Sequence, residues 1–253
     1  MFHGKTVIAI IQAHMSSTRL PNKIMLDLHG KPELYRVLER VKKSKYLDDI
    51  VVATSDLPCD DIIANSCKEW GIHSFRGSDS DVLSRFYGAA MLFPADAYMR
   101  LTSDNPISDP DEIDHEIEYF FNSGLRHVRG DYTHLPHGIG EEVFTAELLQ
   151  EAYEKATEPF EHEHVTPYMY RNQSSTGIVP TDMDDADIRV TMDTENDYRL
   201  LCAIYDHLYS PNRTFTLDEA VSFIRSHPEI LEINSMVKDN SIYQFVKKDN
   251  PAV

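Results

Sequence analysis

Cysteine is scarce in this chain: Cys59, Cys67 and Cys202 are all that 253 residues contain. An odd, unclustered set excludes a disulfide framework and supplies no zinc-ligand spacing, so a reducing cytoplasm is the expected compartment. Basic residues are also short, with 24 Lys and Arg against 42 Asp and Glu and a formal charge of -18. That imbalance excludes a broad electrostatic hold on nucleic acid or an anionic membrane, and an anionic substrate would need a local basic pocket. Long apolar runs are missing too. The early run "TVIAII" falls far short of the ~20 residues that span a bilayer, and no signal-peptide pattern precedes it. Without low-complexity tracts or repeats, the 42% hydrophobic and 26% charged composition is that of an ordinary globular protein. The length suits a single large domain over 1–230 with a C-terminal arm over 231–253, where no clear period continues.

What is present is an alternation of strand and helix. "TVIAIIQA" is apolar and β-branched without alternation, as a strand buried on both faces should be. "KPELYRVLERVKKS" sets Leu34, Val37, Leu38 and Val41 on one helical face. "DDIVVATS" and "IHSFRG" read as strands around the helix "PCDDIIANSCKEWG", and "DAYMRLTSD" as a strand between the helices "SDVLSRFYGAAMLF" and "DPDEIDHEIEYFFNSG". This is the signature of an α/β fold with a mostly parallel central sheet flanked by helices. From His127 to Thr145 the pattern breaks into short β-like pieces, which read as a small β-rich excursion or lobe. "AELLQEAYEKAT" and "EHEHVTPYMYRN" are then helical candidates, "DIRVTMDT" a late strand, "ENDYRLLCAIYDHL" a helix and "LDEAVSFIRSHPEI" the last one.

Functional loops of open α/β sheets gather at the carboxyl ends of strands. After the first strand come Gln12, His14, Ser16, Ser17, Thr18, Arg19 and Lys23. Hydroxyls, backbone N–H groups, a guanidinium and an ammonium suit a polyphosphate. The glycines of a P-loop or a dinucleotide-binding turn are not there. The same loop also reads as a connector whose Arg19 and Lys23 make weak surface ion pairs. Asp104 and Asp193 each follow an apolar run, where they serve either as helix N-caps or as paired carboxylates for magnesium. Thr181 to Asp197 holds seven acids against the lone base Arg189, ordinarily a solvated loop. His162 and His164 lie too close in sequence to share a helical face, and His134 and His137 read as solvent-exposed. Asp79 and Asp81 spell a D-x-D, a three-residue match of small weight.

Taken in order, "IIQAHMSSTRLPNKIMLDLHGKPEL", "GSDSDVLSRF", "RLTSDNPISDPDEID", "HGIGEEVF", "EPFEHEHVTPYMYRN" and "VTMDTENDY" resemble the cytidylyltransferases of the spore-coat polysaccharide type, relatives of the CMP-KDO and CMP-sialic acid synthetases. The resemblance runs from about Val7 to Leu208. It implies a Rossmann-like nucleotide-diphospho-sugar transferase fold and a reaction that joins CMP from CTP to an anionic acceptor, a sugar acid or a phosphorylated small molecule, releasing pyrophosphate. It further implies that Gln12, Ala13, His14, Ser16, Ser17 and Thr18 wrap the triphosphate while Arg19 and Lys23 act catalytically on its developing charge. Asp104 and Asp193 would hold Mg2+; Ser78, Leu83, Arg85 and Ser103 would border the nucleotide; Glu142, His164 and Tyr168 would face the acceptor. A homodimer, with 127–145 as a contact, is implied by the same analogy.

The chain departs from that family at three positions. His14 stands where an arginine is usual, exchanging a permanent charge for an imidazole; Asn22 and Ser103 replace glycines. Asparagine tolerates the left-handed region, so the second change is mild. Two other readings stand beside the enzyme: a glycosyltransferase using the Asp79/Asp81 pair, and a non-catalytic nucleotide-binding protein.

Overall fold

The computed structural model describes residues 1–171 and 173–238. The apolar run around Ile10 is β1 (Val7–Gln12), an interior strand of a seven-stranded sheet. It pairs in parallel with β2 (Asp49–Ser55) on one side and β4 (Ala97–Thr102) on the other, and β3 (His73–Gly77) extends the sheet beyond β2. Helices cover both faces, which is why β1 shows no alternation. Val7, Ala9 and Ile11 pack on one side with α1 (Glu33–Val41), α2 (Asp61–Trp70) and α4 (Pro110–Ser123). Ile8 and Ile10 pack on the other with α3 (Val82–Leu92) and α5 (Ala146–Lys155). A third cluster joins Met192 and Ile139 to α7 (Glu195–Leu208) and α8 (Leu217–Ser226). The strand order β3-β2-β1-β4 runs outward from β1 in both directions, so the loops after β1 and β4 part and leave a crevice between them.

The expected fold class holds, and several local expectations do not. Residues 127–145 are not a separate lobe, because β5 (His127–Arg129) and β6 (Glu142–Thr145) enter the central sheet, β6 antiparallel to both β4 and β5. The short β7 (Thr176–Ile178) closes the order parallel to β5. Once β6 occupies the place beside β4, the segment "DIRVTMDT" has no strand to join. It lies extended against loops instead, Val190 donating to the His137 carbonyl and Met192 to that of Asp104. Helix α6 (Pro159–His164) stops where Val165 takes a φ of 70°, a left-handed conformation that is uncommon for a β-branched residue. Pro228 ends the last expected helix early and opens a short α9 (Pro228–Leu231). Ile230, Leu231 and Ile233 pack on the third cluster, so the start of the expected arm belongs to the fold; residues 239–253 lie outside those described.

A buried polar junction ties β4, β5 and β6 to the segment after α6. Glu142 accepts on Oε1 from Arg100 at 3.1 Å and Thr166 at 2.8 Å, and its Oε2 faces His127 Nε2 at 2.9 Å and the Tyr170 hydroxyl at 2.6 Å. Burial alone would raise this carboxyl, but His127 and Arg100 outweigh it and hold Glu142 at about 2 rather than its ordinary 4.5.

Two outcomes follow. A Cβ on Gly130 would sit 2.4 Å from the Cα of Gly140, a backbone atom that cannot swing aside. Gly130→Ala should therefore destabilise by about 1–3 kcal/mol in urea unfolding, and an unchanged midpoint would contradict that close approach. The second concerns acid. Because the folded pKa of Glu142 is depressed, its stabilisation is complete above pH 4.5 and is lost as pH falls towards 2. Glu142→Gln should lower stability at pH 7 by roughly 3–5 kcal/mol and flatten this acid limb, as read from unfolding free energies across that range.

Candidate active site

The loop after β1 is held by backbone contacts rather than glycines. Ala13 donates to the Ala53 carbonyl, and Met15 N–H donates to Asp60 Oδ1 at 2.8 Å. Asp60 is itself fixed by the Ser55 hydroxyl at 2.6 Å. Within the loop, His14 Nδ1 lies 2.9 Å from Ser16 Oγ. Burial first and Lys23 second lower the His14 pKa, so the ring is neutral at pH 7. Ser16, Thr18 and Arg19 are exposed at the mouth. Asn22 adopts φ 58°, ψ 23°, as an asparagine can, and turns the chain so that Lys23 points inward at 7% exposure.

That ammonium is the centre of the site. Lys23 Nζ donates to Asp104 Oδ2 at 2.5 Å and to Asp193 Oδ1 at 2.9 Å, joining residues 81 and 170 positions away. Arg19 Nη2 stands 3.2 Å from the same Asp193 oxygen. Burial disfavours the Lys23 charge, yet Asp104 and Asp193 outweigh burial and raise its pKa; Asp104 is held at about 2, Lys23 outweighing burial there too. Neither aspartate is a cap: the side chains that cap α4 and α7 belong to Asp109 and Thr194. From the other side, Arg189 Nη2 donates to Asp193 Oδ2 at 2.7 Å and its Nε to Asp197 at 2.9 Å.

Two hard carboxylate oxygens converging on one small cation are a fitting donor set for a divalent ion. Magnesium is commonly held by one or two carboxylates, with substrate phosphates and water completing its shell. Among the described residues no cluster of three or more His, Cys, Asp or Glu has metal-binding geometry, so phosphate or water would have to supply the remaining ligands.

Beside this centre lies a cavity of about 160 Å³ lined by Gln12, Arg100, Asp104, Asn105, His137 and His164, among others. Buried Gln12 Oε1, Asn105 Oδ1 and Arg100 Nε have no protein partner, which leaves them for a polar ligand. Burial, then Arg100, lowers the His164 pKa to about 4, so at pH 7 it offers hydrogen bonds and not charge. A larger cavity of about 420 Å³ near Arg40 and Phe215 shares none of these residues.

The remaining expected residues fall elsewhere. Ser103 is buried and its N–H donates to the Gln12 carbonyl, fastening the β4 end to the β1 end. Arg85 straps the loop after β3, donating to the carbonyls of Ser78 at 2.6 Å and Asp79 at 3.0 Å, and Leu83 is in the core. Glu142 lines the cavity while its carboxylate is engaged in its junction, whereas the Tyr168 hydroxyl turns to Glu151 at 3.2 Å, outside the cavity lining. Asp81 caps α3 through the Ser84 N–H, an ordinary structural use of the D-x-D. His134 is exposed as expected, but His137 is buried, because Arg189 Nη1 lies 3.0 Å from its Nδ1. Sequence reasoning missed Asp60, Arg100, Glu33 and the role of Arg189. Arg100 carried a signal, a charge inside the otherwise apolar strand "AYMRLT". Glu33 stands in the first turn of α1, and its buried carboxyl is pushed well up by burial, then by Asp104.

Comparison with known proteins identifies the family. A family model described as cytidylyltransferase matches residues 8–239. An uncharacterized protein of Methanocaldococcus jannaschii is 37% identical over 239 residues, 93% of this chain and 97% of the relative. The spore coat polysaccharide biosynthesis protein SpsF of Bacillus subtilis is 36% identical over 211 residues, 79% of this chain and 86% of SpsF. The solved structure of a cytidylyltransferase from Leptospira borgpetersenii superposes with a TM-score of 0.84 at 32% identity, covering 90% of this chain and 97% of that one. The chain belongs to the cytidylyltransferase family.

Proposed function

We propose that the protein transfers CMP from CTP to a small anionic acceptor, with release of pyrophosphate, in the synthesis of a surface polysaccharide or related conjugate. The observation that carries this reading is the Lys23 bridge between Asp104 and Asp193 at the mouth of the β1/β4 crevice. An acceptor oxygen attacks the α-phosphorus; the new P–O bond forms as the bond to the bridging oxygen of the β-phosphate breaks, and pyrophosphate leaves with that electron pair. Arg19 and Lys23 meet the charge that grows on the departing phosphates. Asp104 and Asp193 would hold Mg2+, which when bound supplies charge neutralisation to the phosphate oxygens. Lys23 then exchanges part of its carboxylate contacts for phosphate.

Gln12, Arg100 and His164 orient the acceptor, Arg100 supplying the attraction for its anionic group. An acceptor phosphate needs no general base, whereas a sugar-acid hydroxyl gives its proton to solvent water as the bond forms. The use of Asp81 as a helix cap removes the motif on which a glycosyltransferase reading would rest.

The test is pyrophosphate release with each nucleoside triphosphate and Mg2+ against a pool of sugar acids, sugar phosphates and small phosphorylated metabolites. Signal is expected with CTP alone. It should fall about 10³-fold or more in Asp104→Ala and Asp193→Ala, and about 10²–10³-fold in Lys23→Ala. Bound CTP with no pyrophosphate from any member of the pool would overturn the proposal.

A further inference from the structure

Asp193 is gripped on two of its atoms by groups that do not themselves face the crevice. Its N–H donates to Asp197 Oδ2 at 3.1 Å, and its Oδ2 accepts from Arg189 at 2.7 Å. Only Oδ1 turns towards Lys23 and Arg19. The geometry of Asp193 is therefore set by how Arg189 and Asp197 are held. Asp197 Oδ1 accepts from Arg189 Nε at 2.9 Å, and both residues are tied by one amide from the C-terminal segment. Asn234 Nδ2 donates to Asp197 Oδ1 at 2.9 Å and to the Arg189 carbonyl at 3.0 Å.

Asn234 closes the 3-10 turn Glu232–Asn234 and is 3% exposed. Ile230, Leu231 and Ile233 around it pack on the same cluster as α7 and α8. A single side chain thus reaches two members of the frame from outside the sheet. The amide gives donors to a buried carbonyl and a buried carboxylate oxygen at once, which an aliphatic residue of the same size would leave with fewer.

We propose that Asn234 is a positioning residue for the catalytic centre: it fixes the Arg189–Asp197 frame so that Asp193 presents a single oxygen, Oδ1, to a divalent cation. The inference rests on the assignment of Asp193 as a metal ligand made above. Partners that orient a ligating carboxylate affect metal affinity by about 10–100-fold when removed. The frame is preset by residues that meet neither cation nor nucleotide, and the C-terminal segment is part of the active site's support.

The measurement is Mn2+ binding to the full chain in the presence of CTP, followed by the EPR signal of free Mn2+ and referred to a protein-free Mn2+–CTP titration at the same concentrations. The wild type, Asn234→Ala, Asn234→Ser and Asp193→Ala are compared, with thermal midpoints recorded alongside. Asn234→Ala should bind Mn2+ about 10–100-fold more weakly, Asn234→Ser, which keeps one donor, should lose less, and Asp193→Ala should lose the site. In turnover, kcat should fall further than KM for CTP rises. Unchanged Mn2+ affinity in Asn234→Ala, with binding lost in Asp193→Ala, overturns this inference and leaves the metal assignment standing. Unchanged affinity in Asp193→Ala overturns both. Should Asn234→Ala fail to fold, Asn234→Ser decides: affinity equal to the wild type overturns the role.

Discussion

The buried ammonium of Lys23 between Asp104 and Asp193 is the interaction on which the rest of the site depends. Removing three charges from water costs several kcal/mol for each ion, and a buried pair lacking one partner is worse than none. The structure meets this constraint by saturation. Asp193 also receives Arg189 and Arg19, and Arg189 in turn is matched by Asp197. Each member leans on the next, so the geometry of the centre comes from a chain of contacts running from the first strand to the C-terminal segment. Exchanging a buried ion network for apolar residues of similar volume is often neutral or stabilising, so these charges are weak evidence for a role in stability alone. Their presence at the one crevice that the sheet topology creates is a functional argument, because charge at this density has no structural need.

A second polar assembly, around Glu142, lies on the other side of the cavity and follows the same logic. Arg100 belongs to both. Its Nη1 serves Glu142, and its Nε has no protein partner. The donor set of an arginine is rigid and planar, so fixing one edge of the guanidinium fixes the direction of the other. The residues that the resemblance assigns to the acceptor are in this way divided: Glu142 and His164 line the cavity, Glu142 also holding Arg100, and Tyr168 lies outside it.

Much of this was legible in the sequence, and the boundary of legibility has a physical cause. Local periodicity marks β1, α1 and α4 because each buries a face whose pattern is set within a few residues. Strand ends likewise announce Arg19, Lys23 and Asp104, since topology brings such loops together whatever their sequence separation, while Asp193 joins them on a strand reading that the fold does not keep. Long-range pairing is what periodicity does not carry. The excursion over 127–145 became sheet because β6 found β4, and "DIRVTMDT" ceased to be a strand for the same reason. Asp60 and Asn234 were invisible, because the contact that makes each of them matter lies 45 and 37 positions away, respectively, on another element.

Charge balance in the crevice makes the last connection between structure and chemistry. Lys23 and Arg19 meet Asp104 and Asp193 in the crevice, and behind them Arg189 is matched by Asp197, so three fixed positive charges offset three negative ones. His14, neutral at pH 7, adds no cation where a guanidinium would. A nucleoside triphosphate is highly anionic, and a balanced crevice within a chain of formal charge -18 attracts it weakly. Under the proposed function the deficit is met by the divalent ion that travels with the nucleotide. On that reading the carboxylates that balance the crevice would be the groups that receive the ion. Binding would then favour the metal–nucleotide complex over the free nucleotide, and a histidine at position 14 in place of the usual arginine would sharpen that preference.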